Sequence, residues 1–467
     1  MKTYICFFLF FATLTAKAQD KSIYEHVISD LTKGFNSADY TSVYNLLSPE
    51  FKTNINQKDF TAFLARTAAL GNITLTKYTG DSDGFKVYKT TFEKGILSML
   101  IACNEKSQID GFAFRPFKAK ALRSVPVAND NKKGTELDQE VDKAVSGLMS
   151  DPDIAGTVVA VIKGAEVYYY HYGETDKQSA KLPDNKTIFE IGSISKTFTG
   201  IILAQAVLDG KIKLDDDIRK YLPAKCSGLQ LEGKPILVKQ LSNHTSGLPR
   251  LPDDLRSTPG YNEKDPYKHY SKEMYYDYLA RVKLASVPGK IQEYSNTGVA
   301  VLGIILEKVY GQTYTQLLKK YITAPLKMSN TYIEIPEKQL TNFATGYNNG
   351  AEAPHWNLAS SSPAGGIRST LNDMVAYLTA NIREVLPAIA LSHRETFKEA
   401  NEITGLNWFM PTTKNGDTLV WHNGGTGGFT SYIGYLKDKK IGVVVLTNSA
   451  SENGPDKVGS AILKFLQ

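Results

Sequence analysis

Apolar residues fall at helical spacing at Ile23, Val27, Ile28, Leu31 and Phe35, which predicts an amphipathic helix. A second helix is expected over Tyr40–Leu47 and a third from Lys58 to Leu70, where Gly71 stops it. The pattern then shortens. Ile73–Tyr78, Phe85–Phe92, Ile96–Ala102 and Phe112–Phe117 are β-rich runs separated by turn clusters such as Gly80-Asp81-Ser82-Asp83-Gly84. Residues 19–117 therefore read as a small α+β domain. Residues 118–135 carry Lys, Arg, Asn, Asp, Pro and Gly with little apolar content, and read as a linker. In residues 136–467, Thr157–Ile162 and Glu166–Tyr172 form an expected hairpin with its turn at Lys163-Gly164. Ile441–Leu446 is a β-branched run and Asp456–Leu466 a closing helix, while 200–400 is mainly helix and loop. The expected fold is α/β (α+β): an antiparallel sheet completed by strands from both ends of this region, flanked by helices, plus a helical subdomain.

The first residues belong to a different class. Lys2 is followed by an apolar stretch from Ile5 to Leu14 and by Ala16-Lys17-Ala18, a small-x-small cleavage site before Gln19. This reads as a signal peptide over 1–18, hence an exported protein, periplasmic or secreted. The alternative, a membrane anchor, needs about 20 apolar residues, and this run is half that. Loss of Lys2 and Lys17 lowers the formal charge from +6 to +4, spread without an Arg-rich stripe. That argues against a nucleic-acid partner. Pairs such as Lys132-Lys133 and Lys439-Lys440 read as solvated surface. Cys103 and Cys226 remain after Cys6 is removed. They are expected in different domains as buried small residues, with no Cys or His at metal-ligand spacing. No metal or other cofactor is expected, and the oligomeric state is open.

The chemistry concentrates at Gly192-Ser193-Ile194-Ser195-Lys196. Gly192-Ser193 marks a helix start, and Phe198, Ile201, Ile202, Val207 and Leu208 continue it. Residues three apart on a helix share a face, so the Lys196 amine should lie over the Ser193 hydroxyl. A cation there stabilises a developing alkoxide, and a neutral amine could take the proton. The helix N-terminus adds backbone N–H donors of the kind an oxyanion needs. Alone, Ser-x-x-Lys is equally a helix cap beside a surface charge.

Its company decides. The string FEIGSISKTFTG (189–200) is similar to the nucleophile motif of class C β-lactamases and related penicillin-binding serine hydrolases. That family's second motif, Tyr-x-Asn, occurs as Tyr294-Ser295-Asn296. Its third, Lys-Thr-Gly or His-x-Gly on a strand edge, occurs as His422-Asn423-Gly424. LSNHTSGLP (241–249), PLKMSNTY (325–332) and PAGGIRSTLNDM (363–374) also match, so the resemblance covers roughly 140–467. It implies a β-lactamase/transpeptidase-like fold and a small-molecule or short-peptide substrate. It implies Ser193 as nucleophile with Lys196, and Tyr294 as general base or acid aided by Lys196 and His422. It implies Asn296 holding both the substrate amide and Lys196. His422, Asn423 and Gly424 would line the substrate, with Gly425 pairing its N–H with that of Ser193. His244 reads as loop structure. Arg250 reads as a solvated side chain, or alternatively one that faces a substrate carboxylate. The element order of 19–117 resembles the NTF2-like fold.

One departure matters. Strict class C enzymes carry Lys in the third motif, whereas His422 is mostly neutral at pH 7. Three readings stay open: an enzyme acting on a β-lactam or D-amino-acid peptide, the latter as a D-alanyl peptidase or D-aminopeptidase; an enzyme of the same mechanism acting on esters or other small acyl compounds; and a binding module, either a sensor that acylates and stalls or an inactive relative.

Overall fold

The computed structural model describes residues 21–467, apart from 83, 118–121, 124, 178, 401, 452 and 453. The signal peptide expected at 1–18 lies outside the described residues. The chain divides into two compact units, the first ending at Lys120 and the second beginning at Ala121.

In the first unit the helices Lys21–Asn36, Tyr40–Asn45, Pro49–Lys52 and Gln57–Thr67 precede an antiparallel meander of Ile73–Ser82, Phe85–Phe92, Gly95–Cys103 and Ile109–Pro116. Capping side chains set the helix starts: Asp39, Ser48 and Asn56 each accept a backbone N–H of the first turn. Gly71, with φ +83°, ends the last turn where the sequence placed the stop. Leu31, Val43, Leu64, Met99 and Ile101 are wholly buried between helices and sheet. The fourth strand starts at Ile109 rather than Phe112. Gly111 weakened the β signal there, and the structure uses its missing side chain to seat the Phe85 ring.

The second unit is built on a five-stranded antiparallel sheet. Its spatial order is Leu419–Gly425, Thr430–Leu436, Ile441–Thr447, Gly156–Lys163, Glu166–Gly173, so both ends of the unit meet in one sheet. Burial alternates with period two. Val159, Val161, Val443 and Val445 face the helices Glu136–Met149 and Gly454–Leu466. Val158, Ala160, Val444 and Leu446 face the larger helical layer. That layer contains Ser195–Leu208, which is apolar almost all round because it is buried over most of its length, and Asn296–Tyr310.

The described part of the expected linker is not a free tether. The Arg123 guanidinium donates to Ile154 O at 2.8 Å, Asp130 holds the His171 ring at 2.5 Å, and Asn131 donates to the Tyr172 hydroxyl at 2.7 Å. The polar composition that marks a linker in the sequence here supplies hydrogen bonds that hold the described segment to Ile154 and to the edge strand Glu166–Gly173. Cys103 and Cys226 are buried, one in each unit. Among the described residues no helix is long and apolar enough to cross a membrane.

Leu203, wholly buried in the Ser195–Leu208 helix, tests the packing of this layer. Leu203→Ala is expected to cost about 2–5 kcal/mol, read as a lower urea midpoint for the second unit. An unshifted midpoint would contradict the packing described.

Candidate active site

Ser193 lies on a single 3-10 turn, Gly192–Ile194, that runs into the buried helix Ser195–Leu208. Two sides hold the turn. On one, Ile191 N donates to Ile367 O at 3.1 Å, and Ser195 Oγ accepts from Ile367 N at 3.0 Å. On the other, Ser431 Oγ donates to Ile191 O at 2.8 Å. The edge strand Leu419–Gly425 then comes into backbone contact with the turn. A Cβ on Gly424 would fall 2.0 Å from Ile191 O and 2.9 Å from Ser193 N. A Cβ on Gly192, whose φ is +50°, would fall 2.5 Å from Gly425 N. Only glycine allows this approach.

Lys196 is wholly buried. Its Nζ donates to Ser193 Oγ at 2.9 Å and to the Ala364 carbonyl at 2.6 Å, and sits 4.8 Å from the centre of the Tyr294 ring. Burial, reinforced by the charge of Arg250, holds the amine well below the ordinary lysine pKa. Asn296 does not share this amine as the motif implied. Lys196 bonds to Ser193 and Ala364 instead, and Asn296 Oδ1 is buried without a hydrogen-bond partner. The Ala364 contact comes from the 363–374 phrase. It could not be read from side chains because the acceptor is a main-chain oxygen.

Tyr294 lies just before the helix Asn296–Tyr310, whose first turn Ser295 caps by accepting Gly298 N at 2.9 Å. Burial pushes the phenol up to about 12, against the lowering effect of its hydrogen bond with Ser193 and of Arg250. The group is thus a phenol at neutral pH. The aid expected from His422 is absent. His422 is wholly buried, and its Nδ1–H donates to Asn423 O at 2.6 Å. The ring is neutral, since burial and the nearby Lys196 hold its pKa down at about 3, and its Nε2 lone pair is unpartnered. The cation over Tyr294 is Arg250 instead, with Cζ 5.1 Å from the ring centre.

Asn423 leaves the substrate side altogether. Side chains alternate along the strand, and its Nδ2 donates to Asp456 Oδ1 at 2.7 Å, in the C-terminal helix. His244, which reads from sequence as loop structure, does occupy a loop residue with φ +64°. Its ring nevertheless packs 4.5 Å from that of Tyr294, and its Nδ1 accepts Ser295 N at 3.3 Å. It is neutral, with its pKa well below the usual value through burial and the neighbouring Lys196, His422 and Arg250. The structure therefore brings together Ser193, Lys196, Tyr294, His422, Gly424 and Gly425, adds Ala364 O, His244 and Arg250, and excludes Asn423.

A beta-lactamase family model matches residues 141–464. The chain is 30% identical over 372 residues to a beta-lactamase of Pseudomonas fluorescens, covering 71% of this chain and 99% of that protein. It is 27% identical over 373 residues to a beta-lactamase of Escherichia coli K12, covering 71% and 94%. A beta-lactamase of Yersinia enterocolitica is 28% identical over 362 residues, covering 69% and 89%.

The buried neutral histidines set a pH dependence of stability. His422, held at about 3, and His393, held at about 4 by burial, both protonate more readily in the unfolded chain. Their contribution is full above about pH 6.5 and declines as the pH falls below it, because the unfolded state then binds more protons. The melting temperature is expected to drop between pH 7.5 and pH 5, with a shallower drop in His422→Gln. Equal slopes in the two proteins would remove His422 from this account.

Proposed function

Because the chain belongs to the beta-lactamase family of serine hydrolases, we propose that it opens a β-lactam or related amide through an acyl-Ser193 intermediate, in the class C manner. The observation that carries this reading is the 2.9 Å contact between Lys196 Nζ and Ser193 Oγ, made by an amine too deeply buried to hold its proton easily. Neutral Lys196 takes the Ser193 proton as Oγ bonds to the carbonyl carbon. The Ser193 and Gly425 N–H groups receive the charge on the carbonyl oxygen. The C–N bond then breaks. The leaving nitrogen takes the Tyr294 phenol proton, and Lys196 returns its proton to Tyr294. Tyr294 therefore acts as a proton carrier and not as a standing phenolate, as its raised pKa requires. A water then attacks the acyl group and frees Ser193.

His422 favours a second reading. A neutral imidazole replaces the lysine of strict class C enzymes, which weakens the pull on an antibiotic's carboxylate and widens the acyl substrates to D-alanyl peptides, D-amino-acid amides or esters. A sensor that stalls as the acyl-enzyme is the limiting case. The signal peptide read at 1–18 would direct the enzyme to the periplasm or outside the cell. The first unit, read as NTF2-like, would serve as an accessory domain.

Intact-protein mass spectrometry after exposure to β-lactams and D-alanyl peptides separates these readings by adduct, site and lifetime. Ser193→Ala is expected to abolish adduct and turnover, and Tyr294→Phe to lower kcat by about 10²–10⁴-fold with the adduct still on Ser193. Wild-type rates in Ser193→Ala would end the proposal.

A further inference from the structure

Among the described residues of this site, Arg250 is the side chain that carries a fixed charge without a counter-charge. Among the described residues no carboxylate forms an ion pair with it, and the groups its charge acts on here are neutral at pH 7: His244, the Tyr294 phenol and a Lys196 amine that burial drives toward neutrality. Arginine keeps its charge in any such setting and presents a planar fork suited to a carboxylate. Its position is fixed. Arg250 O accepts Asn296 N at 3.0 Å and Thr297 N at 3.2 Å, and Ser295 Oγ donates to Pro249 O at 2.8 Å. The backbone that places Tyr294 therefore also places Arg250. The side chain itself is exposed, with its guanidinium 5.1 Å over the face of Tyr294. Tyr267 lies within electrostatic reach of the same guanidinium, and its ring packs at 5.5 Å against Trp356, whose indole lies over Gly427, just beyond the edge strand.

We propose that Arg250 is the specificity residue that binds a carboxylate on the leaving-group side of the substrate, supplying from the 241–250 loop the cation that the third motif lacks. This rests on the reading that Tyr294 hands its proton to the leaving nitrogen: a guanidinium stacked on that phenol meets whatever the nitrogen's fragment carries. The substrates selected are amides whose amine half bears a carboxylate, and the same compounds lose their advantage when that carboxylate is masked.

Binding tests the idea apart from chemistry. Calorimetry would compare a chromogenic cephalosporin with its methyl ester on Ser193→Ala and on Ser193→Ala combined with Arg250→Ala or Arg250→Lys. Ser193→Ala is expected to bind the free acid about tenfold or more tighter than the ester. Arg250→Ala should erase that preference, and Arg250→Lys should keep part of it. Because Arg250 is exposed on a loop, unchanged melting curves should accompany the loss. Equal binding of acid and ester by Ser193→Ala, or a preference that survives Arg250→Ala, would overturn the assignment. Failure of the wild-type enzyme to open the cephalosporin would count against the proposed reaction instead, since the binding preference does not depend on bond cleavage.

Discussion

The site depends on an amine that water cannot reach. Lys196 is sealed between the nucleophile turn and the Ala364 segment, with two acceptors at hydrogen-bond distance and, among the described residues, no carboxylate in an ion pair with it. An ammonium so placed would be costly, and burial shifts the balance toward the free base. Much of the surrounding architecture follows. The helix that carries Lys196 is apolar over most of its surface, and its few buried hydroxyls are hydrogen-bonded, as Thr197 is to Tyr377 and Thr199 to Tyr314. Beside the Lys196 amine the Tyr294 phenol must keep its proton, since a phenolate would draw one onto that nitrogen, while burial leaves the His244 and His422 rings neutral as well.

A second constraint is how closely main chains approach one another. The nucleophile turn and the edge strand meet through Gly192, Gly424 and Gly425 with no side chain between them. That contact aligns the backbone near Ser193 with the end of the sheet. The accuracy of the site therefore comes from the sheet's register, in which His422 pairs with Ile433 and Gly424 with Ser431. One step of alternation turns His422 inward and Asn423 toward the C-terminal helix.

This alternation marks the limit of what the chain discloses before folding. The Ser193–Lys196 pair and the strands at both ends of the second unit were legible because each carries a local pattern, a three-residue helical spacing or a β-branched run, whereas Tyr294-Ser295-Asn296 and His422-Asn423-Gly424 stood out only through their resemblance to a family's motifs. What escaped has no local pattern. The Ala364 acceptor is a carbonyl, and every residue has one. The outward turn of Asn423 depends on which strand face meets the last helix. Arg250 reads in the sequence as solvated or as facing a substrate carboxylate, and only the fold sets it over the Tyr294 ring, with no ion-pair partner among the described residues. The polar run 118–135 looked like a tether because the partners of its described residues, Ile154, His171 and Tyr172, are set by tertiary packing.

The strand order of the sheet also governs assembly. Gly156–Lys163 hydrogen-bonds directly to Ile441–Thr447, and the hydroxyls of Thr157 and Thr447, 290 positions apart, meet at 3.2 Å. Such distant pairing closes a very large loop late and slows folding. On the ribosome, the backbone beside Ser193 stays unfinished until nearly the whole polypeptide has emerged. A chain broken off before its final sixty or so residues would keep its nucleophile and its lysine yet lack the strand that seats them, so biosynthesis yields either a finished catalyst or none.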